Sequence, residues 1–435
     1  MDGAPEEEPE KEKVVIGEHF SRSEGAPADI EGKWPGFRGR GRANIVGSSP
    51  ALLDRWPGDG LEPEWSVELG EGHAGPAVWR GRVYVLDYDE RRRGDALRCF
   101  SLNDGKEIWR RWYEVPVKRN HGMSRTVPSV SGGKVVTMGP KCHVMCVDAV
   151  NGDLEWSIDL QDRYGSEVPF WYTAQCPLID GETVVLAPAG KVLMTGVDLE
   201  TGRIKWETPN TGEWEMSHAS IMPMQLEGRE MYVYPAIGGV VGVSAEEEDA
   251  GEILWQSEAW DHSVVAPSPV ALDDGRIFLT AGYGAGAMML KVSAAGEEYI
   301  TEVLDEYGPA RGLASEQHTP IFYRGHLFGV LPRDGGALKQ QFVCYNSKNC
   351  REPVWKSGKT DRFGLGPYIL ADGKFYVLDD TGRMTIVDAA TDEYRKLDSA
   401  RLFEGRNAWG PIAVAGTRML VRDSTRMFCF DIRQR

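Results

Sequence analysis

An all-β fold, an eight-bladed β-propeller of four-stranded antiparallel blades, is what this chain predicts, on three observations. Tryptophan recurs at Trp65, Trp109, Trp156, Trp206, Trp255 and Trp355, with gaps of 44, 47, 50, 49 and 100 residues, the last being two periods. Short apolar runs are punctuated by 51 glycines and 25 prolines. Helical periodicity is nearly absent, which argues against a doubly wound α/β chain.

Along the chain, residues 1–33 open with Glu-Glu-Glu-Pro-Glu-Lys-Glu-Lys and hold few large apolar groups, so a disordered acidic tail is expected. Residues 34–63 carry Trp34-Pro-Gly-Phe-Arg-Gly-Arg-Gly-Arg and Trp56-Pro57, a Gly/Pro-rich extension expected to pack on a larger body. The propeller should fill 64–435. Each unit begins with a short Pro-containing strand, then a glycine turn and an alternating β-run. The Pro and Gly pairs are Pro76 and Gly81, Pro128 and Gly133, Pro177 and Gly181, Pro223 and Gly228, Pro269 and Gly275, Pro320 and Gly325, Pro367 and Gly373, and Pro411 and Gly416. Four units then reach their tryptophan through a polar glycine turn, as in Asn151-Gly152…Trp156 and Thr201-Gly202…Trp206. The eighth unit stops one strand short at Phe428-Cys-Phe-Asp-Ile-Arg, and Glu64–Leu69 offers the missing strand. Pairing the two ends would close the ring and leave only short protected edges.

The formal net charge of −17 repels phosphate backbones and excludes the electrostatic term that dominates nucleic-acid binding. No apolar run reaches membrane-span length, and a monomer is expected. The chain opens Met-Asp-Gly-Ala-Pro, without a basic and apolar signal region, so the expectation is either a cytoplasmic protein or the mature form of an exported one. Seven cysteines form no evident disulfide framework; Cys99, Cys146, Cys344 and Cys429 fall at matching places in the repeat and read as small buried thiols.

Chemistry in a closed propeller belongs to the loops around its axis. Five histidines precede inner strands, His73, His121, His218, His262 and His318, and the same loops hold Arg125, Trp171, Tyr172, Arg362, Arg406, Asn407 and Trp409. A mouth of imidazoles, aromatics and arginines suits an anionic or planar ligand through stacking and bidentate hydrogen bonds. The competing reading is a set of loops that cap a packed ring. No metal site is expected. Gly282-Tyr-Gly-Ala-Gly-Ala lacks the spacing of a dinucleotide fingerprint and reads as a glycine-rich strand edge or bulge. Glu246-Glu-Glu-Asp249 reads as a solvated turn.

The phrases Val147-Asp148-Ala149-Val150-Asn151-Gly152-Asp153-Leu154-Glu155-Trp156 and Val197-Asp198-Leu199-Glu200-Thr201-Gly202-Arg203-Ile204-Lys205-Trp206 resemble the repeat of the quinoprotein-type, or PQQ-like, propeller family over about residues 64–435. The resemblance implies that the six tryptophans dock blades, with Tyr299 and Tyr394 standing where tryptophan is expected in the fifth and seventh repeats. Likeness to the BamB-like noncatalytic members implies a binding or assembly scaffold of the bacterial cell envelope, periplasmic or otherwise exported, with a protein or extended polymer partner and no cofactor. The alternatives are an alcohol or sugar dehydrogenase using pyrroloquinoline quinone (PQQ) with calcium, and a sensor of small molecules or carbohydrates. The dehydrogenases often clamp the quinone beneath a disulfide between adjacent cysteines; this chain has no Cys-Cys pair and no matching Glu, Asn and Asp set.

Overall fold

In the computed structural model, which describes residues 13–434 except Ser48, Asp59 and Glu297, eight antiparallel sheets stand around one axis. Seven blades take their four propeller strands in chain order. Blade 1 starts at Ala77–Trp79 and ends at Glu107–Glu114; blade 2 runs from Ser129–Ser131 to Leu154–Asp159. The others start at Leu178–Asp180, Met222–Leu226, Val270–Ala271, Ile321–Tyr323, Tyr368–Ala371 and Ala413–Ala415. Blade 8 takes its outermost strand from Trp65–Glu68, which pairs with Arg426–Asp431 in the register Trp65 to Cys429. Joining the termini within one blade makes every blade contact two neighbours, and closure removes the open sheet edges that invite aggregation.

The repeating tryptophan has a consistent partner across its own blade. Trp109 faces Cys99, Trp156 faces Cys146, Trp355 faces Cys344 and Trp65 faces Cys429. In blades 3 and 4 the opposing residues are Gly196 and Gly242. The indole lies over that position, so only a small side chain fits: a Cβ on Gly242 would lie 2.1 Å from Trp255 Nε1. This explains the four buried thiols, and all seven cysteines are buried and free. Four of the six indoles also hydrogen-bond to the next blade. Trp65, Trp109, Trp156 and Trp355 donate to the carbonyls of Leu102, Val150, Leu199 and Ala390 at 3.0, 3.1, 2.9 and 3.0 Å. Trp255 turns instead to Met231 Sδ in its own blade. Tyr394 does not replace the tryptophan in its strand; it sits in the preceding turn, packs on Trp355 and donates to Asp361.

The expected disordered tail is corrected for its described part. His19–Arg22 adds a fifth strand to blade 1, pairing with Trp109–Trp112, and Gly25 and Ala28 donate backbone hydrogen bonds to Glu107 and Gly81. An outer edge that would otherwise offer unpaired N–H and C=O groups is thereby covered. Residues 1–12 of that expectation lie outside the described residues.

Residues 34–46 thread the axis as a strap. Trp34 exchanges two backbone hydrogen bonds with Val78 of blade 1; Val130 of blade 2 donates to Pro35, and Asn44 and Val46 bond Leu370 of blade 7. Two buried arginines pin it. Arg38 donates to Thr319 and Pro320 at 2.6 and 3.0 Å, and Arg42 donates to Ile221 at 2.8 Å and to Cys176 and Pro177. Burial lowers both guanidiniums only to about 10, so they stay charged at neutral pH, solvated by carbonyl oxygens.

Candidate functional site at the axial mouth

The antiparallel order puts the loops between blades and the turns between second and third strands on one face of the ring. On this loop face a cavity of about 390 Å³ opens along the axis, and Phe37, Arg38 and Asn44 of the strap form part of its lining. A second cavity of about 460 Å³ lies against Gly36–Arg42 and the inner strands of blades 2 to 4. The strap therefore contributes wall to both.

Of the twelve residues expected at the mouth, the structure brings seven to the wall of the axial cavity: His73, His121, Arg125, Trp171, His218, His318 and Trp409. Arg406 and Asn407 line an adjoining hollow that shares His73, His121 and Trp409. Three lie apart. His262 packs edge-on to Trp260 at 4.3 Å. Tyr172 uses its hydroxyl on the Lys118 carbonyl, and Arg362 is spent on the Ala337 and Lys339 carbonyls beside another depression.

Each wall group has a local cause. Arg125 bridges two blade connections, donating to Trp171 O at 2.7 Å and to His121 O at 2.7 Å, and burial lowers it only to about 10. That cross-brace fixes Trp171, whose ring stacks on Tyr283 at 5.4 Å. On the opposite side His73 stacks on Trp409 at 5.1 Å, and Trp409 is anchored by Nε1 donation to Asp380 at 2.7 Å. Burial, then nearby guanidiniums, push His73 down to about 3, His218 to about 4 and His318 to about 4, so all three are neutral at physiological pH. His73 Nδ1, both ring nitrogens of His218 and His318 Nε2 are buried with no hydrogen-bond partner.

Sequence reading missed Tyr283, Glu316 and Arg333 in this wall. The Gly282 stretch is neither edge nor bulge but the turn between Arg276–Ala281 and Gly286–Ala295, with Tyr283 at φ +57° on the rim. Alternating glycines around an aromatic were the available signal for such a turn. Glu316 is the one carboxylate of the wall; it accepts the Arg333 backbone N–H at 3.2 Å, and the Arg333 guanidinium stands 4.0 Å away, over Trp409.

The donor set fits a quinone with calcium poorly. A hard cation takes six to eight oxygen ligands, carboxylates prominent among them, while the one carboxylate of this wall stands beside a guanidinium, among imidazoles and neutral side chains such as Asn44, Gln317 and Thr319. Among the described residues, no three His, Cys, Asp or Glu groups gather as a metal cluster.

Solved structures of similar shape include europium-containing methanol dehydrogenase (12% identity, TM-score 0.61, covering 90% of this chain and 89% of that one). BamB from Moraxella catarrhalis aligns with 12% identity and TM-score 0.55, over 85% of this chain and 97% of that one. The computationally designed Ika8 protein aligns with 11% identity and TM-score 0.53, over 86% and 100%. A dehydrogenase, an assembly factor and a design share the ring, so these likenesses speak for the fold alone. No curated protein matches the sequence. The family defined as outer membrane protein assembly factor BamB matches residues 92–319, more than half of the chain, and this chain belongs to that family.

Proposed function

We propose that the protein is a noncatalytic binding scaffold of the bacterial cell envelope that docks a protein partner on the loop face of its propeller. The observation that carries this reading is the aromatic rim. Phe170 is 79% exposed and Tyr283 61% exposed, the two highest values among the exposed large hydrophobic residues, and they flank Trp171 on the same face. Exposed aromatic clusters on a rigid scaffold are the usual anchors of protein interfaces. Family membership supports the envelope setting. The wall chemistry supports a noncatalytic role, because its single carboxylate is held by Arg333.

The test is site-specific photo-crosslinking in the envelope. A photoreactive residue in place of Phe170 gives a discrete adduct with an outer-membrane protein, lost in a Tyr283→Ala background; the same probe in place of Val150, exposed in a turn on the opposite face, gives none. Equal adducts at both positions, or none at Phe170, contradict the reading.

A further inference from the structure

Behind the rim, the wall of the axial cavity combines three features that a docked protein face does not require. Four imidazole nitrogens, on His73, His218 and His318, are buried and unpartnered. A neutral imidazole presents one donor and one acceptor, and His218 with both nitrogens free asks for groups that accept from one and donate to the other. Hydroxyl groups do both. Three guanidiniums, Arg38, Arg125 and Arg333, line the same space with only Glu316 as counter-charge; Arg38 is spent on strap and blade carbonyls, and Arg125 and Arg333 give the wall an excess of positive charge inside an acidic protein. Aromatic groups stand on both sides, Trp171 stacked with Tyr283 and Trp409 stacked with His73. The cavity, about 390 Å³, lies in the size range of small-molecule sites.

We propose that the axial mouth binds an acidic sugar, a pyranose bearing a carboxylate, whose hydroxyls satisfy His218, His318 and His73 and whose carboxylate meets Arg125 and Arg333. The C–H face of the ring packs against the aromatic wall made by the stacked Trp171 and Tyr283. An aromatic acid offers the charge and the flat face without hydroxyls; a neutral hexose offers hydroxyls without charge. The site discriminates against both, because either leaves buried polar groups unpaired. The inference is independent of the partner on the rim: a rim variant that loses the partner leaves this cavity in place.

Calorimetric titration of the full chain with glucuronate and with digalacturonate, against glucose and benzoate as controls, tests it. The expected result is saturable 1:1 binding of at least one uronate, with glucose and benzoate each weaker by about tenfold or more, which is about 1.4 kcal/mol. His218→Gln, which keeps a donor and an acceptor, weakens uronate binding several-fold, while His218→Phe abolishes it with the thermal midpoint retained. Long-range nitrogen-detected spectra of the histidines shift at His218 and His318 on uronate addition. Two outcomes overturn the proposal: no saturation by either uronate at about 10 mM with a cooperatively folded protein, or benzoate binding as tightly as the uronates.

Discussion

From blade 2 to blade 6 the inner strands are tied by side-chain acceptors reaching one blade back, whereas from blade 7 to blade 1 the residue before the proline is glycine and a buried arginine takes over. In the first sector Val127 N–H donates to Cys176 Sγ at 3.2 Å, Cys176 N–H to Ser220 Oγ at 3.0 Å, Ser220 N–H to Ser268 Oγ at 3.0 Å, and Ser268 N–H to Thr319 Oγ1 at 2.8 Å. In the second sector Gly366, Gly410 and Gly75 stand before Pro367, Pro411 and Pro76. A Cβ on Gly410 would lie 2.4 Å from Arg422 Cγ. Arg422 is fully buried and donates to the carbonyls of Ala74, Gly70, Asp423 and Ser424. Burial lowers it only to about 10. Both sectors face one problem, the inward backbone polar groups of short strands crowded around the axis. Successive blades repeat a local solution; the seam where the two ends of the chain meet needs one residue that reaches across it.

Breaking the seam has the largest expected effect. Removing the chain through Leu69 deletes the Trp65–Glu68 strand and the Trp65 to Leu102 bond; circular dichroism on heating is expected to lose its single cooperative transition. A retained midpoint would show that closure is dispensable. Acid is next, and it acts on both sectors, since His73 lies at the seam and His218 and His318 in the girdle. Their folded values of about 3, 4 and 4 lie below 6.5. Below pH 6.5 the unfolded chain binds protons the folded chain refuses, so stability present above 6.5 is lost as pH falls towards 4, by up to about 1.4 kcal/mol per pH unit per imidazole. Denaturant midpoints from pH 7 to 5 check the sign, and His73→Gln and His218→Gln each flatten the slope.

Arg422→Met leaves several buried carbonyls unpaired and is expected to cost about 3 kcal/mol or more by urea unfolding. Gly242→Ala forces the Trp255 indole off its strand, at about 2 kcal/mol. Ser268→Ala removes one girdle acceptor and costs about 1–2 kcal/mol. If the serine change equals the arginine change, the two sectors are energetically alike and the contrast between them fails.

The ring itself was legible because its causes are local. A period near 50 with a tryptophan in six of the eight repeats, and a final unit one strand short, led to eight blades and to the strand that closes them. The small residue opposite each indole was half visible in Cys99, Cys146, Cys344 and Cys429, which the sequence marked as equivalent. The mouth was only partly legible. Residues within loops of similar length, such as His73 and Trp409, converge because the ring repeats, but His262 and Arg362 turn aside to neighbours that no spacing reveals. Tyr283 was hidden in a glycine-rich phrase whose turn depends on a positive φ. The strap was missed as an axial element for a different reason. Trp34-Pro-Gly-Phe-Arg-Gly-Arg-Gly-Arg reads as a Gly/Pro-rich extension packed on a larger body, and the blade partners of Arg38 and Arg42 are backbone carbonyls more than a hundred residues away.

The most direct test of the central claim, a strapped binding propeller whose mouth sets imidazoles and guanidiniums around a single carboxylate, is a calorimetric titration of the full chain with PQQ in the presence and absence of calcium, followed by a dye-linked alcohol and sugar oxidation assay on the same sample. The account predicts no calcium-dependent binding and no turnover. Tight 1:1 binding that requires calcium, with substrate-dependent dye reduction, would contradict it and make the axial cavity an active site.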